Sequence, residues 1–379
     1  MSSRTLLQEL ASTAGVSTVA YVDGPRALPQ VEEESRREAL LDRLRSAGAP
    51  KADVEAIDGA LAQANGTPSP SARYLVARNG SIEADITFPG HRFGSEIAAS
   101  GPLPTLLPLI RHRSRRVRYL VIETDREGAE VRLERADQHT PEHSEQVEGR
   151  TDSLTKVQTG GTSHARYQRA AEEVWKHTQS EVAEVTDRLV KQHRPDFILI
   201  SGDVRARQLL IEGLSDASSA LVHEFEVHTR ADGADDDGIA NAIAEIAESH
   251  VANGIAAVVD RARSSDGALG AEGVQEVVEA LQQARVDTLV LDARLEGSSE
   301  QLHALSAEPW VSEDAPNDLD AESLGMVSAA EALARAAVLT GARVIINEEQ
   351  FESEDSPRAH AEPDPPIASL RWATELSSP

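Results

Sequence analysis

The chain contains no cysteine among its 379 residues. That absence excludes disulfides, thiolate metal sites and thiol nucleophiles together. No run of eighteen or more apolar residues occurs, so no transmembrane span is expected. The N-terminal stretch MSSRTLLQELASTAG places Glu9 inside its apolar positions and reads as a short helix, not a signal peptide. No phosphate-binding GxxxxGK[ST], GxGxxG or HExxH motif is present, and no Ser-His-Asp order, so no independent enzyme signature competes. Basic charge is scarce: 37 Lys and Arg face 64 Asp and Glu, a net charge of −27. Phosphate contacts need Lys and Arg, so most of this surface repels nucleic acid. These absences describe a soluble cytoplasmic chain without cofactor or metal, and with neither membrane nor DNA as a partner.

What is present is ample core-forming material and an uneven charge. Hydrophobic residues make up 40% of the chain, enough for packed cores, and the length suits two or three domains. Arg111, His112, Arg113, Arg115, Arg116 and Arg118 form a basic run, whereas the last third carries acidic stretches such as Glu313-Asp314 and Glu352–Asp355. Such runs are ordinarily a solvated surface. A mostly acidic protein with confined basic tips still binds RNA locally.

Periodicity organises the chain into α/β segments. Helices are predicted over 32–47 and 51–63, where Leu40, Leu41, Leu44, Val54, Ile57 and Leu61 fall at helical spacing. The breaker NGTPSPS ends them. A hairpin of 73–77 with 81–87 turns at Asn79-Gly80, and a second pairs 118–123 with 129–135. Residues 137–158 are polar and read as an extended loop, in which Pro141 forbids a helical metal pair of His139 and His143. From Ser163 an amphipathic pattern runs to about His193, a helix of about 45 Å. A strand at 197–201, a helix at 204–214 and a strand at 221–227 follow, then a long helix at 239–263. The last unit alternates helix 272–284, strand 288–292, helix 328–339 and strands 343–347 and 367–372. Two insertions, 308–324 and 348–366, read as mobile loops.

The most informative stretch is GGTSHARYQRAAEEVW at 160–175. It resembles the catalytic loop and following helix of the archaeo-eukaryotic class-I release factors and their Pelota relatives. There a Gly-Gly-Gln tip is followed by a Ser-Ala-x-Arg-Phe-x-Arg helix start. Gly160 and Gly161 match the glycines, and Ser163, Ala165, Arg166, Tyr167 and Arg169 follow in register, but Thr162 stands where the glutamine belongs. FILISGDVRARQLL, GVQEVVEALQQARVDTLVLD, and ARVIINEEQ with IASLRWA resemble later elements of that family, in its order. The first 116 residues resemble instead the N-terminal domain of the bacterial branch, the Balon-like ribosome hibernation factors of actinobacterial type.

The resemblance implies a three-domain α/β release-factor-like architecture of mixed sheets flanked by helices, with one very long helix after the glycines. Its divisions would be 1–116, 117–249 and 250–379, the last a kink-turn-binding ribosomal-protein-like fold with acidic loops. It implies a ribosome partner, through rRNA of the A site and the peptidyl-transferase centre, with elongation factor Tu as candidate delivery factor. Gly160, Gly161, Thr162, Ser163, Arg166, Arg169 and Lys156 would bind there. Arg113, Arg115 and Arg116 would add to a cationic patch around the tip, together with Lys176. Thr162 lacks the amide that holds water beside the ester, and is at most a weak catalytic candidate. Three readings stay open: a hibernation-type plug, a peptidyl-tRNA hydrolase or rescue factor, and a generic RNA-binding stress adaptor. A plain alternative for the motif is an ordinary helix start capped by Thr162 or Ser163, with Arg166 and Arg169 paired to Glu172 and Glu173.

Overall fold

The computed structural model describes residues 3–24, 30–63, 66–67, 69–136, 140–149, 163–225, 234–264, 268–315, 321–348 and 362–373. It divides into two compact units, one of Met1–Ser114 with Ala252–Pro379 and one of Arg115–Val251. The architecture is mixed α/β.

The first segment runs α1 (Ser3–Ser12), β1 (Ser17–Asp23), α2 (Gln30–Ser46), α3 (Lys51–Leu61), β2 (Ser71–Arg78), β3 (Ser81–Pro89), β4 (Ile97–Gly101) and α4 (Leu107–Ser114). Its antiparallel sheet has the order β3-β2-β1-β4. The hairpin expected at Asn79-Gly80 is present, with φ of 52° and 76°. A two-residue turn needs positive φ at both central positions, which Asn and Gly supply. Strand β1 escaped the sequence reading because six of its seven residues are buried. A strand covered on both faces shows no alternation. Ala20, Val22, Leu75 and Ala77 face α2 and α3, while Val19, Tyr21, Tyr74 and Val76 face a second core.

The second unit contains β5 (Arg118–Thr124), β6 (Gly128–Arg135), β7 (His143–Glu148), α5 (Ser163–His193), β8 (Phe197–Gly202), α6 (Val204–Gly213), α7 (Asp216–Ser219) and β9 (Val222–Glu224). The helix α8 (Ala234–Arg263) follows. The sheet order is β7-β6-β5-β8-β9, with β5, β8 and β9 parallel. Leu120, Ile122, Val131, Leu133, Ile198 and Ile200 bury one face against Val182, Ala183 and Leu189 of α5 and Leu210 of α6. Tyr119, Val121, Phe197 and Leu199 bury the other against Ile239, Ile243, Ile246 and Ala247 of α8. The loop expected over 137–158 is in part the strand β7. HSEQVE holds a single apolar residue, and charge on an exposed edge strand hides the alternation while blocking unwanted pairing.

In α8, Gly238–Arg263 is long and apolar enough to cross a bilayer by length and composition, with mean hydropathy 1.2. The interrupted pattern lacks the eighteen-residue run sought in the sequence. Its first half packs on the β5–β8 face, and Ile255, Val258 and Val259 pack on Val290, Ile345 and Ile367.

The last segment adds β10 (Gly270–Glu272), α9 (Val274–Gln282), β11 (Val286–Asp292), a 3-10 turn (Ala293–Gly297), β12 (Gln301–Leu305), β13 (Val311–Ser312), β14 (Ser323–Ser328), α10 (Ala329–Leu339), β15 (Arg343–Asn347) and β16 (Ile367–Leu370). Its sheets are β10-β16-β11-β15 and β13-β12-β14. The insertion 308–324, expected as a mobile loop, therefore supplies β13 and the start of β14, although 316–320 fall outside the described residues. Of the second insertion, 349–361 fall outside them too.

Helix α10 explains why the first and last segments form one unit. Seven residues, Ala329, Ala330, Ala332, Leu333, Ala334, Ala336 and Ala337, are at most 2% exposed. A helix apolar on every side belongs inside a core, and this one shares its core with Leu7, Leu10, Tyr74 and Ile110. Its two charges are ties. Arg335 donates Nε to Ala11 O (2.9 Å) and Nη1 to Leu305 O (3.0 Å). Glu331 accepts from Leu106 N (2.9 Å) and Leu107 N (3.1 Å), capping α4 from 224 residues away.

Burial pushes the Glu331 carboxyl up to about 7, against the lowering pull of those two amide hydrogens. The residue retains some surface, but its carboxyl group is enclosed. The fold then holds a proton that the unfolded chain releases between about pH 4.5 and 7. Stability from this group is present in acid and lost as pH rises from about 4.5 through 7, a swing on the order of 3 kcal/mol. Glu331→Gln is expected to flatten that slope in urea unfolding between pH 5 and 8. Parallel wild-type and variant profiles would contradict the assignment.

Candidate functional site

The helix that follows the double glycine begins at Ser163, where the motif puts it. Gly160, Gly161, Thr162 and Lys156 lie outside the described residues. Ser163, Arg166 and Arg169 occupy the first two turns of α5, their side chains also outside that description. The geometry therefore concerns how the arm bearing the motif is seated.

Helix α5 has 31 residues, about 46 Å of rise. Its first described side-chain tie is Glu172, whose carboxylate takes Arg205 Nη2 of α6 at 2.6 Å. The alternative pairing of Arg166 and Arg169 with Glu172 and Glu173 falls on arginine side chains outside the described residues. One turn on, the Arg126 guanidinium sits 4.8 Å from the Trp175 ring centroid, while its Nε meets Asp203 at 3.1 Å. Next come Thr178 and Gln179, both buried. Gln179 Oε1 accepts from Thr124 Oγ1 (2.9 Å), and Nε2 donates to Asp125 O (2.8 Å). At the far end, Arg188 donates to both Glu145 oxygens at 2.8 Å. That pairing holds the Glu145 carboxyl below its ordinary range.

Two glycines let the backbone close around this seat. Gly202 has φ of 114°, and a Cβ there would collide with the Thr124 carbonyl. Gly149 donates to Glu127 O (2.6 Å), and a Cβ on it would overlap Thr178. Beside them, Glu123, Asp125, Glu127, Glu130 and Glu148 line an open cleft of about 610 Å³. Its carboxylates repel phosphate, so this cleft disfavours RNA. No group of three or more His, Asp or Glu that could hold a metal occurs among the described residues.

Within the second unit, Arg118 of the basic run lies at the far end of α5. Arg118 donates Nη1 to His193 O (3.1 Å), the last residue of α5, and pairs with Glu142 at 3.0 Å. It thus marks the end of the helix opposite Ser163. Arg111 is buried in the first unit, bound to Glu296 (3.0 Å) and Glu348 (3.1 Å). His112 is buried too, stacked on Phe88 at 3.7 Å. Both serve the core: the Arg111 charge is paired there, and His112 shares a 2.8 Å hydrogen bond with Tyr21 Oη. Arg113 is exposed, Arg115 and Arg116 are half-buried, and each is already engaged by another group. Lys176 is exposed on α5.

Sequence reasoning missed Gln179, Thr124 and Gly202. A signal for the first existed: Gln179 shares a helical face with Val182, Ala183 and Thr186, and polar residues on an apolar stripe are usually satisfied by a partner.

The model of bacterial archaeo-eukaryotic release factor family 2 matches residues 118–268, from β5 through α8. Residues 118–268 are release-factor-like. The matched stretch contains the double glycine and all of α5. The uncharacterized protein Rv2629 of Mycobacterium tuberculosis is 26% identical over 305 residues, covering 77% of this chain and 78% of its own. Among solved structures, S. cerevisiae Dom34, a translation termination-like factor, is 9% identical, with 81% of each chain covered and a TM-score of 0.40. A ribosome-bound archaeal Pelota is 14% identical, with 99% and 95% covered and a TM-score of 0.38.

Proposed function

We propose that the protein is a cytoplasmic, ribosome-binding factor of hibernation type, occupying the A site and peptidyl-transferase region without releasing peptide. One observation carries this reading. Two glycines and an arginine-bearing helix start open a 31-residue arm, yet Thr162 replaces the amide that peptide release requires. The match of 118–268 to a release-factor family supports it. Glycines permit close backbone approach to rRNA, and a helix N-terminus offers free N–H groups and a positive dipole to phosphate. Gly160, Gly161, Thr162, Ser163, Arg166, Arg169 and Lys156 are assigned to the deep contact. Arg113, Arg115 and Arg116 are assigned to rRNA contact as well. Elongation factor Tu is the proposed delivery factor.

The test is co-sedimentation with 70S ribosomes across a salt series. If about four phosphates are engaged, affinity should fall on the order of a hundredfold between about 50 and 200 mM salt. Protein left in the supernatant at low salt, with or without elongation factor Tu, would remove the ribosome from the account. Binding to RNA generally, with no preference for ribosomes, would favour the stress-adaptor reading.

A further inference from the structure

We propose that Gln179 is the positioning residue of the α5 arm, fixing the direction in which its N-terminal end points. The inference rests on the plug reading for its biological meaning, but its geometry stands alone.

Apolar packing, surface ion pairs and exposed polar contacts seat α5, and among its described side-chain contacts to other elements those of Gln179 are both fully buried and directional. Val182, Ala183 and Leu189 pack on the sheet, but apolar contact is non-directional and tolerates sliding and tilting. The ion pairs Glu172–Arg205 and Arg188–Glu145 involve side chains 31–48% exposed, where screening leaves little restoring force. Gln179 is fully buried, and its amide is used at both ends. The Asp125 carbonyl can only accept, so it fixes Nε2 as the donor and leaves Oε1 for the Thr124 hydroxyl. Both partners lie where β5 runs into the tight β5–β6 turn, itself closed by Asp125 N to Gly128 O at 3.0 Å. A hydrogen bond weakens steeply with misalignment, so this pair resists rotation and translation of α5 together.

Leverage makes the constraint matter. Ser163 lies sixteen residues before Gln179, about 24 Å along the axis, so a tilt of about 10° displaces the arm's start by about 4 Å. A tip meant for a narrow RNA cavity cannot tolerate that error. An ordinary surface helix could.

The natural absence of cysteine allows two unique spin labels, at Gln168→Cys on α5 and Gln208→Cys on α6. In the labelled parent, pulsed dipolar spectroscopy should give one narrow distance distribution. Gln179→Leu should broaden it at least about twofold or shift its mean, with helical content unchanged. Thr124→Val, which removes the hydroxyl from outside the helix, should do the same and serves if Gln179→Leu fails to fold. Thr124→Ser, which keeps the donor, should leave the distribution as in the parent. Distributions that superimpose across parent, Gln179→Leu and Thr124→Val would overturn the proposal. In sedimentation, Gln179→Leu should bind ribosomes about tenfold more weakly than the parent. If the parent itself does not bind, the plug reading fails while the distance measurement still decides the positioning role.

Discussion

Reversing both arginines at the arm's start, Arg166→Glu with Arg169→Glu, is expected to weaken ribosome binding on the order of a hundredfold, about 3 kcal/mol. Two favourable phosphate contacts become repulsive, and the salt dependence of the remaining binding should flatten by about one unit of slope for each phosphate no longer engaged. Folding should be nearly untouched, with stability within about 1 kcal/mol of the parent, as for surface changes away from packed features. Sedimentation and urea unfolding on the same preparation separate the two effects. Equal weakening of folding and binding would show that these arginines are structural ion-pair partners.

The second large effect concerns Thr162. The protein should release no peptide from peptidyl-tRNA on stalled ribosomes above the uncatalysed rate. Thr162→Gln should create measurable release, because the glycines and the arginine-bearing helix start are already in place. Positioned groups of this kind contribute on the order of a hundredfold or more in rate, so gain and absence are readily distinguished. A threonine hydroxyl is too short and, being β-branched, too restricted to place water as an extended amide does. Robust release by the wild type, lost in Thr162→Ala, would reverse the assignment and make the protein a rescue factor.

How much of this was legible in the sequence varies by element for physical reasons. Helix α5 was readable to the residue, because Ser163 follows two glycines and Pro195 closes the pattern. The Asn79-Gly80 hairpin was readable because few residues besides Asn and Gly tolerate two consecutive positive φ values. Strands β1 and β4 were not, the first being covered on both faces and the second short and only half-buried. Strand β7 was missed because an exposed, charged edge carries no periodicity.

The shared core of the first and last segments had no local signal. It depends on α10, whose alanines look unremarkable until they are seen packed on every side. The same long-range packing changed the meaning of the basic run. Arg111 and His112 read as part of a solvated basic run in sequence, yet each is buried against partners remote in the chain. For the candidate site, the motif residues came from resemblance, whereas the seat of the arm came from structure. Gln179 is an unremarkable letter until Thr124 and Asp125 are placed beside it.

The most direct measurement is imaging of the wild-type protein bound to stationary-phase 70S ribosomes, with peptidyl-tRNA integrity followed in the same sample. The account predicts α5 running through the A site, Gly160–Thr162 in the peptidyl-transferase region and the ester intact. Density for the protein elsewhere on the ribosome, or tip occupancy accompanied by released peptide, would contradict it.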